Sequence, residues 1–184
     1  MSAAWIILVY QLPSEPSSKR VNVWRDLKRL GALYLQQSTC IVPASGERDA
    51  AMQAIGQKID LLEGAHHLFR VPSVDHDEEA LLVDGFRQQS AAEYQEIIDE
   101  TSSRLLTRIE FERFRDNFSY DTAEDLRSEL ERLRERHARS VERDFFGASM
   151  RTESEAALAR CEEQLEAYED ATYRLTAEVY GPES

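Results

Sequence analysis

The chain has 184 residues, 42% of them hydrophobic and 31% charged, with a formal net charge of −13. That length fits one ordinary domain or two small ones, and the charge excludes a general nucleic-acid coat, because most of the surface would repel phosphate. The average hides a split: residues 1–72 carry eight Lys/Arg and six Asp/Glu, a net of +2, whereas residues 73–184 carry fourteen and twenty-nine, a net of −15. An anion or nucleic-acid site is therefore expected in the first part, and a solvated helical surface or a protein partner in the second. The two cysteines, Cys40 and Cys161, lack metal-ligand spacing and read as reduced thiols. The apolar stretch 3–12 is shorter than the roughly 20 residues needed to span a bilayer and has no signal-peptide flanks. A cytoplasmic location away from membranes is expected.

In chain order, residues 5–12 form a continuous apolar run rich in Ile, Val and Tyr, and Pro13 follows, which favours a buried strand. The turn through Pro13 and Pro16 ends in Ser17 and Ser18, expected helix N-caps. Val21, Trp24, Leu27 and Leu30 then recur every three residues, Val23 widens the stripe, and Gly31 ends the helix. Residues 32–36 and 39–42 read as a hairpin about Gln37-Ser38, closed by Pro43. A second helix opens at Ser45-Gly46-Glu47, faces inward through Ala51, Ile55, Ile59 and Leu62, and stops at Gly64. Residues 67–71 are the last strand before Pro72. The order β-α-β-β-α-β predicts an α+β protein whose residues 1–72 form a ferredoxin-like domain.

Residues 73–85 read as an acidic linker and residues 86–184 as an acidic α-helical region. Within it, residues 86–116 show an irregular helical pattern. Asp121 with Glu124, and Thr152 with Glu155, have capping-box spacing. Leu126, Leu130, Leu133 and His137 form one seam; Leu158, Cys161, Leu165, Tyr168, Thr172, Leu175 and Val179 form another, at alternating spacings of three and four. Two antiparallel helices joined at residues 145–150 would bury both seams; a homodimer would use the same positions.

The first helix carries the basic feature: Lys19, Arg20, Arg25, Lys28 and Arg29 fall within eleven residues, a cluster suited to an oxyanion or a phosphate backbone or else to a solvated face. His66 and His67 are neighbours on a strand and point to opposite faces, so they do not chelate one metal. The acidic run Asp75-His76-Asp77-Glu78-Glu79 reads as a charged helix start. There is no Gly-rich phosphate loop, Ser-His-Asp arrangement or HExxH motif. No enzyme activity, metal or other cofactor is expected.

The segment from Trp5 to Pro13, then Pro16-Ser17-Ser18-Lys19-Arg20-Val21, resembles the opening of the ChrB chromate-resistance proteins. So do Val23-Trp24-Arg25-Asp26-Leu27-Lys28-Arg29-Leu30-Gly31-Ala32, the hairpin ending Ile41-Val42-Pro43, and Arg143-Asp144-Phe145-Phe146-Gly147. The resemblance implies transcriptional control of chromate resistance, with promoter DNA and a separate ChrB-type C-terminal domain protein as expected partners. The strand-helix-hairpin is also similar to the middle domain of PaaX-type repressors and to a small ferredoxin-like CRISPR-associated nuclease. The nuclease family has an aspartate at the end of the first strand where Gln11 stands here, which argues against metal-dependent cleavage. A non-enzymatic scaffold that uses the acidic helices to hold a partner is the alternative expectation.

Overall fold

Five β-branched or aromatic residues among seven place Trp5–Gln11 as strand β1 at the inside of a sheet. The computed structural model describes residues 4–179, with side chains through residue 177. After β1 come α1 (Ser17–Leu30), β2 (Leu33–Gln36), β3 (Thr39–Pro43), α2 (Gly46–Leu61) and β4 (Ala65–Val71). Then follow α3 (His76–Asp99), a π-helical turn (Glu100–Leu106), α4 (Thr107–Phe114), α5 (Tyr120–Arg143) and α6 (Arg151–Val179). The protein is mixed α/β, with a four-stranded antiparallel sheet of order β2-β3-β1-β4. It divides into two compact units, one of residues 1–89 with 143–146 and one of residues 90–142 with 147–184.

In the sheet unit, alternation along β1 separates two cores. Ile6 and Leu8 join Cys40 and Val42 of β3 and pack with Val23, Leu27, Met52, Ile55 and Ile59 of the first two helices. Trp5 and Ile41 face the other way and pack with Leu82 and Phe86 of α3, with Phe145 and Phe146 at the edge. Trp5 stacks on Phe86 at 5.9 Å. Gly31 ends α1 in the left-handed region at φ 79, a conformation that favours glycine. Gly64 sits where a Cβ would come within 2.5 Å of the Gln11 carbonyl, so β1 and the start of β4 approach through a position with no side chain.

Three expectations about this unit are corrected. The α1 N-cap is Pro16 and makes no side-chain cap bond; Ser17 and Ser18 lie inside the first turn. Val21 and Trp24 do not belong to the buried stripe: they are 40% and 46% exposed, while Val23 and Leu27 are fully buried. A strict three-residue repeat drifts around a helix of about 3.6 residues per turn, so spacings of three and four together define its inner face. The acidic stretch 73–85 is not a linker beyond its first few residues. It is helical from His76, Asp75 Oδ1 accepts a hydrogen bond from the Glu78 amide, and Leu82 is buried in the Trp5 core.

In the helical unit, Ile97, Leu105 and Ile109 pack with Leu126, Leu130 and Leu133 of α5 and with Leu158, Cys161, Leu165 and Tyr168 of α6. A pair of helices is therefore an incomplete description, because a third helical stretch supplies part of the core. A π-helical turn interrupts the stretch 86–116 that the sequence shows as an irregular helical pattern. Its buried positions are Tyr94, Ile97, Thr101, Leu105 and Ile109, and the π-helical turn falls among them. The cap of α5 is Ser119, whose hydroxyl accepts from the Thr122 amide at 3.2 Å; Asp121 is already in the first helical turn. Thr152 likewise lies within α6, and Arg151 there pairs with Glu155. The α6 seam is buried from Leu158 to Thr172 but Leu175 is 43% exposed, and the Val179 side chain lies outside the described residues.

Candidate functional site

The site is built on the solvent side of α1. Val23 and Leu27 hold the helix to the sheet, which leaves two rows for solvent. Arg20, Trp24 and Lys28 follow one another at steps of four, and Arg25 and Arg29 form a second row. Lys28 and Arg29 occupy the last turn, where cations complement the helix dipole.

The five cations have different surroundings. Lys19 is tied down: its Nζ donates to the Leu62 carbonyl at 3.2 Å and to Glu63 at 2.8 Å, fastening α1 to the end of α2. This pairing holds the Glu63 carboxyl below its ordinary range. Arg29 reaches Asp26 at 3.5 Å, and Asp26 is also bound by Lys58 at 2.6 Å. Lys28 Nζ stands 5.4 Å from the Trp24 ring centroid, a cation–π contact. Arg20 and Arg25 form no ion pair among the described residues. The helix thus spends one of its five cations on structure and presents the rest to solvent.

Beside the first row lies a cleft of about 500 Å³, lined by Arg20, Val21 and Trp24 of α1, by Tyr10, Gln11 and Leu12 at the end of β1, and by Tyr34, Gln37 and Ser38 of the hairpin. The tight turn is set by Ser38 at φ 62. The Tyr10 and Tyr34 hydroxyls are hydrogen-bonded at 3.1 Å. Burial raises both phenols above their ordinary range, so they stay neutral at physiological pH. Burial likewise pushes the nearby Cys40 thiol up to about 12, leaving it an inert core group. Sequence reasoning found the cations of this region but missed Trp24, Tyr10, Tyr34 and Gln37. The signal available was the Arg20-Trp24-Lys28 step of four, which puts the tryptophan between two cations on a solvent row.

The histidines separate as strand neighbours do. His66 faces α2 and binds Asp60 at 2.9 Å, whereas His67 lies near Phe69. Among the described residues no three His, Cys, Asp or Glu side chains stand together as a metal site, and no helix is long and apolar enough to cross a membrane. In the helical unit the arginines are largely paired: Arg127 with Glu162 and Glu169, Arg134 with Glu162, Arg136 with Glu96 and Glu100, and Arg108 with Glu129. His137 packs on Tyr94 at 5.5 Å, and burial lowers its pKa.

No solved structure matches the chain. It is 28% identical over 147 residues to Protein ChrB of Cupriavidus metallidurans, an alignment covering 78% of this chain and 40% of that protein. The chain therefore aligns with less than half the length of this relative. The sequence profile of the family described as Protein ChrB, N-terminal, matches residues 20–179, from the first turn of α1 to the end of α6. On this match the chain belongs to the ChrB N-terminal family.

Proposed function

We propose that this chain is a cytoplasmic, non-enzymatic regulatory module for chromate resistance that contacts promoter DNA through α1 of the sheet unit. The order β2-β3-β1-β4 with two helices on one face supports reading that unit as a ferredoxin-like domain. The pairings of Arg127 with Glu169 and of Arg134 with Glu162 run in opposite senses along α5 and α6, which supports an antiparallel hairpin. The observation that carries the functional reading is the exposed pair Arg20 and Arg25, with Lys28 and Arg29 beside them. These cations lie in a unit with ten Lys/Arg against twelve Asp/Glu, whereas the helical unit has twelve against twenty-three.

A contact of this kind is mainly to phosphates and weakens with salt, with a slope of log affinity on log salt of roughly −0.9 per phosphate neutralised. The test is a titration of the promoter fragment upstream of the chain's own operon at two salt concentrations. Changing Arg25, Lys28 and Arg29 together to Ala should remove up to about three units of slope and most of the affinity, with circular dichroism unchanged. Equal binding by wild type and variant would overturn the assignment to α1. With Gln11 at the end of β1 in place of a carboxylate, no cleavage of RNA or DNA is expected in magnesium or manganese.

A second reading is favoured by a different observation. Phe111, Phe114, Tyr120 and Tyr173 are 51–86% exposed on the helical unit. Exposed rings of this kind suit a protein partner, whether a second copy of the chain or a ChrB-type C-terminal domain protein. Phe114→Ser would then weaken capture of that partner and leave DNA binding unchanged.

A further inference from the structure

We propose that the cleft beside α1 receives a single unpaired nucleotide, its base lodged against Trp24 and the tyrosine pair and its phosphate held at Arg20. The inference rests on the nucleic-acid reading of α1 and specifies what the helix recognises. The cleft's volume of about 500 Å³ falls within the span of roughly 300–1,000 Å³ typical of small-ligand pockets. Its walls combine the two features that single-strand recognition uses, flat apolar rings and cations beside them.

The details of the lining favour a nucleotide over a purely apolar guest. Trp24 is 46% exposed, although a tryptophan on an amphipathic helix can bury most of its ring by a modest change of register. Tyr10 and Tyr34 satisfy each other's hydroxyls and present their remaining ring surface. Gln11 and Gln37 each offer an amide donor and an acceptor, the pairing that reads a base edge, and neither amide has a hydrogen-bond partner among the described residues. Arg20 lines this cleft and also the adjoining one that runs toward Gly64. No carboxylate lines the cleft, in a chain with 35 Asp and Glu. Lys28, over the Trp24 ring, adds a second positive charge outside the lining.

Duplex DNA keeps its bases stacked and would reach the cations without entering the cleft. The cleft therefore predicts a preference for single-stranded or locally unpaired nucleic acid. The test uses the full chain and a labelled single-stranded 12-mer, its duplex and free AMP. Fluorescence anisotropy reads strand affinity and tryptophan emission reads the cleft. Trp5 is fully buried against Phe86, so a change in emission on binding comes from Trp24. Trp24→Ala should weaken single-strand binding by about tenfold or more, the loss expected from one base–aromatic stack, and weaken it more than duplex binding. Trp24→Phe should restore most of the affinity. Quenching by AMP would identify a free nucleotide as a sufficient ligand, and quenching by the strand alone would identify the strand as the source; either supports the cleft. Unchanged single-strand affinity in Trp24→Ala, or no quenching by either probe, overturns it. If duplex binding in that case still falls in the Arg25, Lys28 and Arg29 variant, the cleft assignment has failed and the α1 reading stands.

Discussion

Several arginines of the helical unit and the exposed arginines of α1 have opposite surroundings, although the sheet unit also holds a paired arginine, Arg70 on Asp49. In the helical unit Arg108, Arg127, Arg134 and Arg136 are each bound to glutamates, several of them on a neighbouring helix, so positive charge there is consumed by packing. In the sheet unit Lys19 of the α1 cluster is fastened to the fold by an acidic residue and a carbonyl, and Arg20 and Arg25 form no ion pair among the described residues. Net charge alone would send an anion away from this protein. The local pairing pattern shows that cations remain available on one helix, and that a count of charges must be read together with what each charge already touches.

The largest expected effect breaks the helical side of that comparison. Leu165 is fully buried in the core shared by three helical stretches. Deleting a buried leucine costs about 2–5 kcal/mol, and Leu165→Asp adds an unpaired buried carboxylate, so the helical signal should melt at markedly lower temperature. Leu175→Asp, at a position 43% exposed, should change stability by no more than about 0.5 kcal/mol. Equal melting of the two variants would show that the seam is not packed as described.

An intermediate effect concerns the sheet unit at high pH. Burial raises Tyr10, Tyr34 and the Cys40 thiol, the last from an ordinary 9.0 to about 12. Groups raised in the folded state bind their protons more tightly there than in the unfolded chain. The thiol's contribution is complete below pH 9 and is lost as the pH rises through about 12. Unfolding monitored by Trp5 emission should therefore move to lower denaturant as the pH climbs through that window, and Cys40→Ala should flatten the dependence. A flat profile in the wild type would contradict the burial of these groups.

A smaller effect is expected from Arg127→Ala, which removes the pairings to Glu162 and Glu169. The pairs are partly solvated, so the cost should be about 1–2 kcal/mol, between exposed and buried ion pairs. The same substitution should leave DNA affinity unchanged or slightly raised, whereas Arg25→Ala should lower it with little effect on stability.

Much of this organisation was legible in the residues. The strand runs, the Gly31 stop and the buried seams follow from apolar periodicity and turn chemistry, which are local. The part that was not legible depends on contacts made at a distance. The helix from His76 reads as an acidic linker because its stabilising residues, Leu82 and Phe86, are few and their partner Trp5 lies far away in sequence. The π-helical turn at Glu100–Leu106 was not legible either, because the buried positions across it keep ordinary helical spacings of three and four. At the site, the basic residues announced themselves by type. The cleft did not, because Tyr10, Gln11 and Tyr34 come from strands that reach Trp24 only through folding.

The most direct test of the central claim is amide mapping of the full chain with and without promoter DNA, by nuclear magnetic resonance or hydrogen exchange. Perturbation or protection should concentrate on α1, Ser17–Leu30, while α5 and α6 remain unchanged. Changes confined to α5 and α6, with α1 silent under conditions where binding is measured, would contradict the account.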